Sequence, residues 1–178
     1  MESVAGQGER TARILNSMDE IGAEVWNRCT HAPHIPYDPF LNHAFLASLE
    51  DSGSATARTG WQPFHVVLEK DGEVLGVAPM YLKGHSQGEY VFDHAWADAW
   101  HRAGGDYYPK LQSCIPFTPA TGRRACIAQD NPDLEQALMG ACAQVANQIE
   151  VSSLHMTFLP ESQWHHAGEI GFLKRMDQ

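Results

Sequence analysis

Residues 65–82 read HVVLEKDGEVLGVAPMYL. Asp71–Gly72 is a two-residue turn signal, because the tight hairpin turn needs positive φ and this pair supplies it at little steric cost. Before the turn, Phe64, Val66 and Leu68 alternate with His65 and Val67. After it, residues 73–82 are almost continuously apolar, as expected of a strand covered on both faces. Pro79 must then lie at an edge or a bulge, since it has no N–H for the ladder. A hairpin buried on two sides needs helices on both, and the flanking sequence offers them.

Upstream, Ser17 with Glu20 matches a capping box, and Ile21, Val25, Trp26 and Cys29 follow at helical spacing, which predicts a helix over 18–29. Asp38–Pro39 starts a second helix whose buried stripe is Phe40, Leu41, Ala44, Phe45 and Leu49, with Gly53 as the stop. Residues 1–13 are polar and read as a flexible leader without the apolar core of a signal peptide. Downstream, Ala95, Trp96, Ala99, Trp100 and Ala103 share one helical face, predicting a buried stripe ended by Gly104–Gly105. Residues 110–117 read as a strand and 125–128 as a short one. Asn131–Pro132 caps a long helix carrying Leu134, Leu138, Ala141, Cys142, Val145 and Ile149. A strand over 153–159, a short helix over 160–166 and a final strand after Gly171–Phe172 complete the order. This is an α/β (α+β) layer architecture, with residues 14–178 as a single domain.

With 43% hydrophobic and 19% charged residues the chain is globular rather than disordered. A net charge of -10 makes nucleic acid an unlikely partner, because a phosphate backbone needs clustered Lys and Arg. No apolar run approaches the roughly 20 residues of a membrane span. Cys29, Cys114, Cys126 and Cys142 stand singly, as reduced core residues of a cytoplasmic protein would. Oligomeric state is not readable, and a homo-oligomer is open to the chain.

The residue types that chemistry uses crowd into 79–124, among glycines and aromatics. Residues 89–92 read as a short strand. Glu89, between a Gly-rich turn and this aromatic stretch, sits where burial could raise its pKa, so it is the first candidate base, followed by Asp93 and His85. The alternative for Glu89 is a structural pairing with Lys83 or Lys110. Tyr107 or Tyr108 is a candidate acid or pocket wall. His94, Asp98 and His101 share a helix face and, with His85 and Asp93, could present ligands to a metal, which gives a metal-dependent hydrolase as a competing class. The alternative for that face is a solvated side of an amphipathic helix.

The hairpin, KLQSCIPF (110–117), the helix after Asn131, SSLHMTF (152–158) and ESQWHHAGEIGFLKR (161–175) together resemble the element order of GNAT acyltransferases. PMYLKGHSQGEYVFDHAWADAW (79–100), GGDYYPKLQ (104–112) and PFTPATGRR (116–124) resemble the bacterial predicted N-acyltransferases related to the FemA/FemB peptidyltransferases. In that family the chain continues into a second half, and this sequence resembles the first. The resemblance implies a GNAT-like, largely antiparallel central sheet flanked by helices. It implies transfer of an acyl group to an amine from a small-molecule donor, acyl-CoA as co-substrate or an aminoacyl-tRNA, the latter disfavoured by the acidic balance. A non-catalytic, ligand- or partner-binding half is the alternative.

The resemblance also implies a splay between the strands at 110–117 and 152–159 that would receive the pantetheine arm. Backbone around Ile115, Phe117 and Thr118 would then supply oxyanion donors. The usual Q/R-x-x-G-x-G/A phosphate loop is not matched. Thr121, Gly122, Arg123 and Arg124 are its nearest substitute for a pyrophosphate, with an ordinary turn as the alternative.

Overall fold

The computed structural model describes residues 9–91 and 93–176. Strand β1 (Arg10–Leu15) precedes helices α1 (Ala23–Thr30) and α2 (His43–Asp51). Then come β2 (Trp61–Pro63), β3 (His65–Lys70), β4 (Glu73–Ala78), β5 (Tyr81–Lys83) and helix α3 (His94–Arg102). Strands β6 (Lys110–Ser113) and β7 (Cys126–Ile127), helix α4 (Pro132–Gln148), β8 (Leu154–Met156) and helix α5 (Glu161–Glu169) follow.

The hairpin forms as its sequence requires. Asp71 and Gly72 have φ of 52° and 82°, and β3 pairs antiparallel with β4 from Lys70 opposite Glu73. Both faces are covered. Val66, Leu68 and Ala78 pack with Leu138 and Cys142 of α4, while Val67 and Val77 pack with Trp26 of α1 and Leu46 of α2. Asn131 caps α4 by accepting from the N–H groups of Asp133 and Leu134. All four cysteines are free and buried.

The sheet is in two halves, ordered β1-β3-β4-β7 and β2-β5-β6-β8. Pro79 sits at the break between β4 and β5, where its missing N–H disrupts no ladder. Across the halves, Tyr81 faces Gln112 and Val77 faces Cys126. The four-residue step from 81 to 77 is therefore matched by fourteen residues, from 112 to 126, so residues 114–125 are looped out of one strand line.

Several expectations need correction. Residues 10–13, predicted as leader, belong to β1, which pairs with β3; residues 1–8 lie outside the described residues. Because β1 is an edge strand and largely exposed, its polar composition hid it. The helix over 18–29 is a short 3-10 turn at Met18–Glu20 followed by α1, and Asp38–Pro39 likewise opens a 3-10 turn, with Asn42 capping α2. The stretch 89–91 is not a strand, and Phe92 lies outside the described residues. Residues 171–176 form no strand. The apolar stripe of α3 is not buried: Trp96 is 58% and Trp100 49% exposed. Its spacing is helical, but no sheet face lies against it.

The strands predicted to splay are paired in parallel, Leu111 with Leu154 through Ser113 with Met156. The Thr157 N–H extends that pairing to Ser113 O. Beyond Thr157 the looped-out segment takes over: Gly122 N–H donates to Phe158 O and the Arg124 guanidinium to Thr157 O. No open gap remains for a pantetheine arm along the paired residues.

Candidate active site

Three strands set one row of side chains: Trp61 faces Lys83, and Lys83 faces Lys110. Two positions along, Pro63, Tyr81, Gln112 and His155 form the next row. Residues two apart on a strand share a face. Trp61, Tyr81, Lys83, Lys110, Gln112 and His155 therefore line the same face of the second half-sheet. Residues 84–91 and Asp93 fold over it and bring in Ser86, Glu89 and Asp93, while Tyr107 and Tyr108 enter just before β6.

Lys110 Nζ donates to Asp93 Oδ2 at 2.7 Å, Glu89 Oε2 at 2.8 Å and Ser86 Oγ at 3.0 Å. Its three N–H groups thus have three acceptors. Asp93 Oδ2 also accepts from Ser86 Oγ and Tyr107 Oη, and Tyr108 Oη bonds Ser86 Oγ at 2.7 Å. Lys83 is held loosely. Its Nζ lies 3.3 Å from the Trp61 ring centroid and 3.9 Å from Glu89 Oε1, with only a 3.4 Å bond to Gln87 O.

The electrostatics follow from burial and from these partners. Burial pushes the Glu89 pKa up, and the charges of Lys110 and Lys83 only partly oppose it. Burial acts the same way on Asp93, but hydrogen bonds from Lys110, Ser86 and Tyr107 outweigh it and hold that carboxyl below its usual value. Burial brings Lys83 down to about 8. His155 falls to about 4, by burial and by the charge of Lys110, so its imidazole is neutral at pH 7. Tyr107 is pushed up by burial and by donation to Asp93.

Among the described residues, the buried side-chain polar atoms with no hydrogen-bond partner are Trp61 Nε1, Tyr81 Oη, Glu89 Oε1, Asp93 Oδ1, Gln112 Oε1 and Arg123 Nε. All but the last belong to this sheet face or to the carboxylates folded over it. Unpaired buried polar atoms are costly, and their convergence marks a place built for something polar. A surface groove of about 350 Å³, lined by Ala97, Asp98, His101, Asp106, Tyr107 and Tyr108, opens directly outside the tyrosines. A larger groove, bordered by Arg13, Arg28, Glu69 and Glu73, shares no residue with the cluster.

The structure brings together Glu89, Asp93 and Tyr108 of the predicted site, and leaves His85 aside. The His85 ring lies against Gly60, where a Cβ would come within 2.2 Å of Nε2. Ile115 is packed in the core beneath α1 and α2, and bridges to Thr118. Phe117, at φ 58°, stacks on Trp61 at 5.4 Å, and its N–H donates to Gly88 O. Thr121 is exposed, and Gly122 anchors to Phe158. Arg123 pairs with Glu135, and Arg124, fully buried, donates to Thr157 O, Arg123 O and Ala120 O. Both guanidinium groups face protein partners and fasten the looped-out segment to α4 and β8. The first turn of α4 carries Asp133 and Glu135 beside its Asn131 cap, so negative charge occupies the place where a phosphate loop would stand.

For a metal, among the described residues no three His, Cys, Asp or Glu side chains gather in a way that could hold an ion. His94, Asp98 and His101 stay on the exposed surface of α3. Every thiol is pushed up by burial, Cys114 to about 12, so none is a ready thiolate.

Sequence reasoning passed over Trp61 and Ser86, and treated Lys83 and Lys110 only as partners for Glu89. The available signal was alternation: Tyr81 and Lys83 flank Leu82, and Lys110 and Gln112 flank Leu111, so each short strand has one polar face.

The fold is that of an acetyltransferase. A Trypanosoma brucei acetyltransferase, 12% identical, superposes with a TM-score of 0.50 over 96% of this chain and 96% of its own. The aminoglycoside N-acetyltransferase AAC(6')-Iy, solved with CoA and 13% identical, gives 0.55 over 99% of this chain and 95% of its own. The chain belongs to the FemAB-like family, described as peptidoglycan biosynthesis/recognition, whose model matches residues 17–178. No curated protein matches it. No helix among the described residues is long and apolar enough to cross a membrane.

Proposed function

We propose that this domain is an N-acyltransferase that moves an acyl group from a thioester such as acyl-CoA to an amine, with Glu89 as the base. The observation that carries the reading is the group of unpaired buried polar atoms, Glu89 Oε1 among them, on one sheet face of an acetyltransferase fold and on the carboxylates folded over it. In the reaction, the amine nitrogen attacks the thioester carbon, the C–N bond forms and the C–S bond breaks. The proton leaving nitrogen goes to Glu89 Oε1, and the departing thiolate takes up a proton in turn.

Lys110 fixes the other Glu89 oxygen, so the free one has a defined direction. A carboxylate whose pKa is raised by burial is a stronger base than a solvated one. Of the two tyrosines, Tyr108 is the better acid. Its hydroxyl is joined to Ser86, whereas the Tyr107 proton is held by Asp93. Asp93 positions Lys110, Ser86 and Tyr107 and stays ionised. The Phe117 and Thr118 N–H groups already donate to Gly88 O and Ile115 O, so neither is an oxyanion donor.

A second reading, a non-catalytic ligand-binding half, is favoured by closure of the site: Glu89 is 2% and Lys83 0% exposed. Mass-spectrometric detection of N-acylated product from acetyl-CoA and a panel of primary amines separates the two. Product in the wild type and its loss in Glu89→Gln supports transfer. Binding of amines without product supports the second reading.

A further inference from the structure

The buried cluster of Trp61, Lys83 and Glu89 has unmet needs of both signs. Trp61 Nε1 is a buried donor without an acceptor, in a residue 0% exposed. Lys83 Nζ has three N–H groups, one long bond, and no carboxylate oxygen nearer than 3.9 Å. Glu89 Oε1 and Asp93 Oδ1 are acceptors without donors. The buried ensemble of two lysines and two carboxylates is balanced when all four are ionised. A ligand of net charge would break that balance in a low-dielectric place, which is strongly unfavourable. The cluster therefore calls for a neutral ligand that carries an anion for Lys83 and Trp61 and a cation for Glu89. Phe117 packs at its edge. It is 44% exposed, lies tilted against the Trp61 ring, and is so close to Gly88 that a Cβ there would come within 2.7 Å of its ring.

We propose that the acyl acceptor is an α-amino acid or a molecule ending in that head group. Its carboxylate is received by Lys83 Nζ and Trp61 Nε1, and its ammonium by Glu89 Oε1. This rests on the acyltransferase reading and narrows its acceptor from any amine to an amine beside a carboxylate. Lys83 and Trp61 are then specificity residues, and Glu89 meets the nitrogen it deprotonates.

The test is binding to the full chain with no acyl donor present, followed by calorimetry and by the indole N–H resonance of Trp61, assigned through Trp61→Phe. The probes are glycine, L-alanine, D-alanine and L-lysine, against ethylamine and propionate, which each carry one half of the head group. At least one amino acid should bind and shift the Trp61 signal, with both half-ligands weaker by roughly tenfold or more, as loss of a charged hydrogen-bond partner implies. Trp61→Phe, which keeps the ring beneath Lys83, should weaken binding by roughly tenfold, and Lys83→Met should abolish it. Far-UV circular dichroism checks that both variants fold. No binding by any of the four amino acids overturns the proposal. Equal binding of ethylamine or propionate overturns it too, as does unchanged affinity in folded Trp61→Phe. Acylation of simple amines without amino-acid binding would sink this inference alone. Amino-acid binding without any acyl transfer would sink the enzymatic reading alone.

Discussion

Lys83 and Lys110 stand directly opposite one another across β5 and β6, and both side chains are fully buried. Like charges at facing positions repel, and burial removes the solvent that would screen them. Glu89 and Asp93, carried in by the segment before α3, neutralise the pair unevenly: Lys110 receives both carboxylates at close range and Lys83 receives neither. That asymmetry makes Lys110 a structural post and leaves Lys83 free to meet a ligand.

Removing the post should be costly. Lys110→Met leaves Glu89 and Asp93 buried without their ammonium, and breaking such a pair costs about 3–5 kcal/mol. Urea unfolding should show a loss of unfolding free energy of that size. Adding Glu89→Gln and Asp93→Asn to Lys110→Met should restore most of it, because no charge is then buried alone.

Three groups give stability a pH dependence of known sign. Burial and the charge of Lys110 bring His155 to about 4 in the fold, against an ordinary 6.5. Between those values the unfolded chain binds more protons, so this contribution rises with pH and is lost on acidification through that window. Lys83, at about 8 against 10.5, contributes in the same sense between pH 8 and 10.5. Glu89, being raised, acts oppositely, with its contribution falling as pH rises above 4.5. The slope of unfolding free energy against pH should fall by the His155 share between pH 4 and 6.5 in His155→Gln, and by the Lys83 share between pH 8 and 10.5 in Lys83→Met.

Two glycines should respond in opposite directions. A Cβ at Gly76 would lie 3.0 Å from Cys126 O and 3.1 Å from Leu138 Cδ2, where strand and helix α4 approach closely. Gly76→Ala should destabilise by about 1–3 kcal/mol through overpacking. Gly140, inside α4, has nothing within 4 Å of its position, so Gly140→Ala should stabilise by about 0.5–1 kcal/mol. Thermal unfolding of both variants checks this.

The start of α4 should contribute little to donor binding, since Asn131 caps it and the exposed Asp133 repels phosphate, while Glu135 is taken up by Arg123. In competition against acetyl-CoA, pantetheine should inhibit within about tenfold of CoA. A helix N-terminus that cradled the diphosphate would make the gap roughly a hundredfold or more.

What was legible in the sequence was what local geometry decides. Asp71–Gly72 and Asn131–Pro132 each fix backbone angles within a few residues, and both formed as read. Trp96 and Trp100 misled because helical spacing records the shape of a face and not whether anything covers it. Arg10–Leu15 was unreadable because an exposed edge strand needs no apolar alternation. The site was half legible: Glu89, Asp93 and Tyr108 were marked by their residue types. The row Trp61, Lys83 and Lys110 exists only through strand register, which places distant residues side by side. Arg123 and Arg124 show the reverse case, a motif chemically suited to phosphate that the fold uses to anchor a loop.

The central claim is that Glu89 is the base for acyl transfer, and the decisive measurement is the acetyl-CoA-dependent acylation rate of Glu89→Gln beside the wild type. The substitution keeps the side chain's size and its contact with Lys110, so the variant should unfold cooperatively with its circular dichroism unchanged. Its rate should fall by roughly a hundredfold or more, the usual effect of losing a general base. A folded Glu89→Gln that turns over as fast as the wild type would contradict the account.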